Sequence, residues 1–341
     1  MRQALLAAPD TIEIRDDARV PEPAGGDLRV RSQAVGICGS DLHALAGHHP
    51  FIDLPVVPGH EVAGVVDAVG DAVEGFAVGD RVLLEPKLVD GTCRQCRSGR
   101  YNLCEQLQVV GCTTDGALGE AFVAPAARFH RVPDRMTMTE AAMVEPLSTA
   151  THAVRVAEGV FDKTVAVLGA GTIGLLTMLT ARAGGAVAVA ITDPIQAKRA
   201  SAVELGADLA VDPTDGDAVE RIRDGLPWRP DVVFDCVAAQ ASMDQAVALS
   251  LKGGTVVVEG VPRGAVQVPL PLIQDRELRI QGTAMYTRQD VDEAIALIAG
   301  GRVPAARLVT AEFPLERVAE AFDAARAGTE IKVHVHPQPA S

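Results

Sequence analysis

Residues 163–186, KTVAVLGAGTIGLLTMLTARAGGA, leave few folds open. Residues 164–181 carry no charge, a run long enough to raise the question of a membrane span. Three spaced glycines interrupt it, and Lys163 and Arg182 bound it closely. That punctuation predicts a buried strand, a tight turn and a helix of a protein that does not cross a membrane. Downstream the pattern repeats. AVAVAITD reads as a strand and PIQAKRASAVELGAD as a helix closed by Gly206. DVVFDCV reads as a strand, ASMDQAVALSLKGG as a helix and TVVVEGV as a strand. Strands alternating with helices predict a doubly wound parallel sheet.

The glycines Gly169, Gly171 and Gly174 form GAGTIG, with Thr172 and Ile173 inside the motif. Alone the spacing is weak; between a strand pattern and a helix pattern it predicts a dinucleotide site. Gly169 permits the turn, Gly171 lets the backbone approach a pyrophosphate, and Gly174 lets the helix pack on the strand. The helix N-terminus offers unpaired N–H groups to the phosphates. Asp193 ends the next strand, where a carboxylate accepts the adenosine ribose hydroxyls and repels a 2′-phosphate, favouring NAD over NADP. Lys198 and Arg199 follow within two turns and keep NADP open, with Arg199 a further cofactor-binding candidate.

At 341 residues the chain predicts two domains. The first 150 residues hold short apolar runs (LRVRSQAVGI, EVAGVVDAVG, DRVLLEP) between turn residues, the pattern of a β-rich domain. The tail, with helices over DVDEAIALIAGGRV and ERVAEAFDAARAG and a strand IKVHVH, returns to mixed structure. The reading is an α/β protein: a β-rich catalytic domain over 1–150 and 281–341, with a dinucleotide-binding domain over 151–280 inserted. A net charge of −14 argues against nucleic acid as a partner. MRQALLAAPD has no charged head before a long apolar run, so no secretory leader is expected. Close cysteines without such a leader more often bind metal than form disulfides, and the expected compartment is the reducing cytoplasm.

Two clusters carry metal-ligand chemistry. VGICGSDLH and VVPGHE bring a thiol, Cys38, an imidazole, His60, and a carboxylate, Glu61, into glycine turns, with Glu145 as a further candidate. Catalytic zinc takes about three such ligands and keeps one position open. DGTCRQCRSGRYNLC places Asp90, Cys93, Cys96 and Cys104 at intervals that can close a tetrahedral structural site.

Taken together, GICGSDLH, PGHE, GDRV, RYNLC, EPLS and VLGAGTIG resemble, in order and over essentially the whole chain, the zinc-dependent medium-chain alcohol dehydrogenases, most closely their sorbitol (polyol) dehydrogenase branch. The resemblance implies a GroES-like catalytic domain and a Rossmann coenzyme domain, with the active site in the cleft. It implies a catalytic zinc on Cys38 and His60, with Glu61 or Glu145 as third ligand, and a proton relay through Ser40 and His43. The structural lobe of the family carries four cysteines; here the first is Asp90, which leaves the occupancy of that site open. Cys112 and Cys236 match no ligand position and are read as ordinary small residues. The resemblance also implies a homodimer or homotetramer, with a strand edge near VVVEGV pairing across a two-fold axis.

The expected reaction is zinc- and NAD-dependent oxidation of a secondary alcohol to the ketone. The glutamates and Ser40 make the pocket floor polar, which favours a polyol, sugar or sugar acid. Vicinal diols, amino alcohols and aminocyclitols remain open. So does a nucleotide-binding scaffold without chemistry, although such a protein is expected to lose Cys38, His60 or Ser40. A zinc-free quinone reductase would lack the cysteine lobe and the GHE ligands. His48, His49 and Arg288 are weaker candidates, at the pocket entrance and for a substrate carboxylate respectively.

Overall fold

The computed structural model describes residues 1–338. The chain forms two compact units. One comprises Met1–Glu145 and the chain from Thr287 onward; the other is Pro146–Tyr286.

The first unit is built on a seven-stranded sheet. Its order runs Val309–Pro314, Lys332–His336, Asp27–Ile37, Glu61–Val69, Arg81–Leu84, Phe129–Arg131, with Ala121–Pro125 also pairing to Asp27–Ile37. The strand near the chain end therefore lies inside the sheet, antiparallel to Asp27–Ile37, with Val333 opposite Ile37 and His334 opposite Gly36. Alternating Leu28, Val30, Val62, Val66, Val82, Leu84 and Phe129 form the core with Val333, Val335 and Phe322. Two irregularities in the pairing of Asp27–Ile37 with Glu61–Val69, between Arg29 and Val30 and between Ser32 and Ala34, bend the ladder.

The second unit carries a six-stranded parallel sheet in the order Leu209–Val211, Ala188–Thr192, Thr164–Leu168, Val232–Asp235, Thr255–Val258, Arg279–Gly282. All five residues of Thr164–Leu168 are buried, as expected of a strand covered on both faces. The helix Thr172–Ala183 follows directly, with Gly171 as its N-cap residue. At Gly174 a Cβ would collide with the Gly169 carbonyl oxygen, so only glycine lets the helix start so close to the strand end.

One expectation is corrected. The run VVVEGV is not a sheet edge, because Thr255–Val258 pairs on one side with Val232–Asp235 and on the other with Arg279–Gly282. The edge is the short, half-polar RIQG, which reads weakly in sequence because its burial alternates. The uncharged run 164–181 is strand, turn and helix, and no helix among the described residues is long and apolar enough to cross a membrane.

Candidate active site and metal centres

Cys38 ends the strand Asp27–Ile37 and serves as N-cap residue of the helix Gly39–Leu45. His60 and Glu61 lie at the start of the neighbouring strand, and Gly36 pairs with Glu61 across the ladder. The donor atoms of Cys38, His60 and Glu61 lie within 4.8 Å of one another, with His60 and Glu61 buried. A Cβ at Gly36 would collide with the Glu61 carboxylate, so glycine opens the space the acid occupies.

The support around these three is polar. Asp41 is buried, accepts the Cys38 N–H at 2.8 Å, and places its second oxygen 3.7 Å from His60 Nδ1. The Cys112 sulfur lies 3.6 Å from the same nitrogen. Contacts at Nδ1 leave Nε2 for a metal, the arrangement by which carboxylates orient ligating histidines. Burial alone would pull the His60 imidazole down; Cys112, Asp41 and Cys38 outweigh it and push the ring well above its ordinary value. Burial pushes the Asp41 carboxyl up, with the His60 charge pulling against it. Burial pushes the Cys112 thiol itself up, so it sits neutral beside the ring and Asp41 is the charge that faces His60.

Lys332 is the residue the sequence reading missed. It is 3% exposed, forms an ion pair with Glu61 as a charge contact, and donates to the Ile37 carbonyl at 3.0 Å. Burial disfavours its charge, but Glu61 and Cys38 more than restore it, and its pKa lies above the ordinary value. A lysine in the apolar strand IKVHVH was the available signal, since buried lysines are almost always paired.

Ser40 stands in the first turn of Gly39–Leu45, and its buried hydroxyl has no partner among the described residues. His43 is three residues on, on the same helical face. Glu145 is 8% exposed at the start of the helix Val144–Val156 and stands outside the 4.8 Å group. Its charge acts on both Lys332 and Lys87. Lys87, wholly buried, lies 3.4 Å from Glu85, which also accepts from the Tyr101 hydroxyl at 2.9 Å and contacts His130 at 3.1 Å. Burial opposes the Glu85 charge, yet His130, Lys87 and Tyr101 bring it down to about 2. Tyr101 belongs to the cysteine lobe, so this network ties that lobe to the neighbourhood of Glu145. Arg288 opens the helix Arg288–Ala299, its backbone N–H donating to the Tyr101 hydroxyl. His48 and His49 lie in the exposed loop after Gly39–Leu45.

In the cysteine lobe the donor atoms of Asp90, Cys93, Cys96 and Cys104 also lie within 4.8 Å of one another. Asp90 accepts backbone N–H groups of Thr92 at 2.5 Å and Cys93 at 2.8 Å, which hold its carboxyl well below the usual range. Burial, then Cys93 and Cys104 beside it, push the Cys96 thiol up to about 12. Three sulfurs and an ionised carboxylate converging on one point are the donor set of a tetrahedral zinc. Aspartate fits the place of a fourth cysteine because the turn already holds it ionised.

In the second unit, a Cβ at Gly171 would meet no atom within 4 Å, so the turn is open to a ligand. Asp193 is 7% exposed, and its two oxygens accept from Ala170 N at 3.0 Å and Ile195 N at 2.9 Å. Each oxygen keeps a lone pair for a hydroxyl. Arg199 is held by Asp212 at 2.9 Å and by the carbonyls of Asp193 and Pro194. Thr172 and Ile173 form the first turn of the helix, half-buried.

Residues 24–134 match the alcohol dehydrogenase GroES-like domain, and residues 172–300 match the zinc-binding dehydrogenase family. The chain is 36% identical over 331 residues to a sorbitol dehydrogenase of Bombyx mori, covering 94% of each chain. It is 36% identical over 319 residues to an L-idonate 5-dehydrogenase of Vitis vinifera, covering 90% of this chain and 87% of that one. A solved structure named as a zinc-binding dehydrogenase, from Sinorhizobium meliloti 1021 and bound to NADP, superposes with a TM-score of 0.92 at 35% identity, covering 98% of this chain and 99% of that one. The chain belongs to the zinc-dependent medium-chain alcohol dehydrogenases, in their sorbitol dehydrogenase branch.

Proposed function

We propose that this protein is a zinc- and NAD-dependent dehydrogenase that oxidises a secondary alcohol of a polyol, sugar or sugar acid to the ketone. The observation that carries the reading is the convergence of Cys38, His60 and Glu61, with the hydroxyl of Ser40, unpartnered among the described residues, close by in sequence. Sorbitol and L-idonate dehydrogenases among its relatives support the substrate class.

Cys38, His60 and Glu61 would hold the catalytic zinc, and Asp90, Cys93, Cys96 and Cys104 the structural one. Glu145, outside the first group, is read as a charge close to the site that balances Lys87 and Lys332. Zinc, when bound, acidifies a hydroxyl, and the dinucleotide accepts the hydride. Ser40 then has one task for which its free hydroxyl fits it: accepting the substrate proton, with His43 passing it on. One thiolate and one carboxylate carry the same formal charge as two thiolates, but the carboxylate is the harder donor and would pass less electron density to the metal. Gly169, Gly171, Thr172, Ile173 and Gly174 would cradle the pyrophosphate at the helix N-terminus. Asp193 would take the adenosine ribose hydroxyls. Arg199 is engaged by Asp212, which supports NAD over NADP.

The test is a panel of polyols, sugar acids, vicinal diols and amino alcohols with NAD and NADP, alongside zinc counted per chain. Turnover of a polyol or sugar acid with NAD, and two zinc ions per chain, is the expected result. A zinc-free protein active on none of them overturns the reading. Asp193→Ala should weaken NAD by about tenfold or more, the worth of a charge-assisted hydrogen bond, and narrow its advantage over NADP. An unchanged ratio of the two would remove Asp193 as the ribose partner.

Six unpaired cysteines suit a reducing cytoplasm. The open edge Arg279–Gly282, with Ile280 exposed, is the surface through which a homo-oligomer would extend the sheet.

A further inference from the structure

In the second unit the sheet reverses between Thr164–Leu168 and Val232–Asp235. A dinucleotide lies across such a reversal, one mononucleotide on each half. Asp193 claims the adenosine half, so the nicotinamide half falls to the carboxyl ends of Val232–Asp235 and Thr255–Val258. Three polar side chains that the proposed reaction does not use meet there. Glu259 directly follows the strand Thr255–Val258, and its backbone N–H donates to the Asp235 carbonyl at 2.9 Å. Thr177, one turn into the helix Thr172–Ala183, donates its buried hydroxyl to the Glu259 carboxyl, at 3.0 Å to the nearer oxygen. The Cys236 thiol lies beside the same carboxyl. Cys236 also abuts the glycine turn: a Cβ on Gly169 would lie 3.9 Å from the Cys236 Cβ and 2.9 Å from Val237 Cγ2.

We infer that Glu259 sets the preference between oxidised and reduced dinucleotide, its carboxylate favouring the cationic oxidised ring and its neutral acid favouring neither form. The inference rests on the dinucleotide reading above. The two coenzyme forms share every group except the charge on one ring, so repulsion of the pyrophosphate by Glu259 cancels in their ratio. What remains is the Coulomb interaction of a carboxylate with a ring that is positive in one form and neutral in the other.

The groups facing Glu259 are Thr177 from the helix, and Cys236 and Asp235 from the neighbouring strand and its end; none is a cation. Asp235 is itself tied down by Val237 N, Ala238 N and the Ser242 hydroxyl. Burial, followed by Thr177 pulling the other way and Asp235 adding to the push, brings the Glu259 carboxyl up to about 8. Burial and the charges of Glu259 and Asp235 push the Cys236 thiol up, so it adds no charge beside Glu259. Well below about pH 8 the acid is mostly neutral; as pH rises through that region it ionises and the oxidised form gains. By reciprocity the oxidised coenzyme lowers the pKa of Glu259 and releases a proton on binding, whereas the reduced form does not.

The experiment measures dissociation constants of NAD⁺ and NADH for the zinc-loaded protein by calorimetry, at about pH 6.5 and about pH 9.5. In the wild type, the ratio of the NADH constant to the NAD⁺ constant should rise on the order of tenfold between them. Glu259→Gln, which keeps a partner for Thr177 but cannot ionise, should lose that rise. Thr177→Val removes hydrogen bonds that stabilise the carboxylate and should move the transition to higher pH. A Glu259→Gln protein with the same rise as the wild type overturns the inference. So does a wild type that binds both forms with a ratio independent of pH, and that result leaves the functional reading intact. Failure of the wild type to bind either form overturns both.

Discussion

Cys38→Ser is expected to reduce turnover by well over about 100-fold, beyond the usual cost of disturbing only the support of a metal ligand. The fold should remain. Cys38 is the N-cap residue of Gly39–Leu45, and serine is among the preferred residues at that position. The side chain is only half-buried, so the smaller oxygen leaves no large cavity. What changes is the donor: an alcohol replaces the thiolate, and zinc favours the sulfur. Zinc per chain after dialysis should fall by one, because the cysteine lobe keeps its own four donors. A variant that retains wild-type turnover with that metal gone would falsify the assignment of Cys38, His60 and Glu61.

Lys332→Met should cost about 3–5 kcal/mol of stability in the metal-free protein, the penalty for removing one partner of a buried ion pair. The reason is what it leaves behind. Glu61 is 1% exposed and loses its only cationic contact among the described residues, while the Ile37 carbonyl loses a donor. Urea unfolding measures this directly. Lys332→Met combined with Glu61→Gln should recover most of the loss, since neither member is then a lone buried charge. Zinc should restore part of it in the single variant, because a dication at Cys38, His60 and Glu61 answers the same carboxylate. Equal losses in the single and double variants would show that Lys332 acts through its alkyl packing instead of its charge.

The contrast between these two residues shows how far the sequence could be read. Cys38, His60 and Glu61 announce themselves by chemical type and by the glycine turns around them. GAGTIG and Asp193 announce themselves by period, a buried strand giving way to a helix and then to an acid-ended strand. Both signals are local. Lys332 reaches Glu61 only because the strand Lys332–His336 pairs with Asp27–Ile37, and that register is a property of the assembled sheet. Cys112 meets His60 across 52 positions, through a turn that no local pattern ties to it. Glu259 hid in an apolar run, where one acid among valines reads as a strand end until Thr177 and Cys236 are seen around it. The edge strand was misjudged because hydrophobicity marks the sheet's interior strand Thr255–Val258, whereas the true edge, Arg279–Gly282, is blunted by polar residues.

The place of the strand Lys332–His336, between Val309–Pro314 and Asp27–Ile37, has a bearing on biosynthesis. Lys332 leaves the ribosome 295 positions after Ile37, whose carbonyl it caps. At about 5–20 residues per second that interval is roughly 15–60 s. Until that strand arrives, Glu61 has no ammonium group to answer it and Asp27–Ile37 lacks one of its partner strands. Asp90 and Cys104, by contrast, are separated by only 14 positions. A nascent chain can therefore bring its four lobe donors together early, whereas the carboxylate beside Cys38 and His60 meets its ammonium partner only when Lys332–His336 docks.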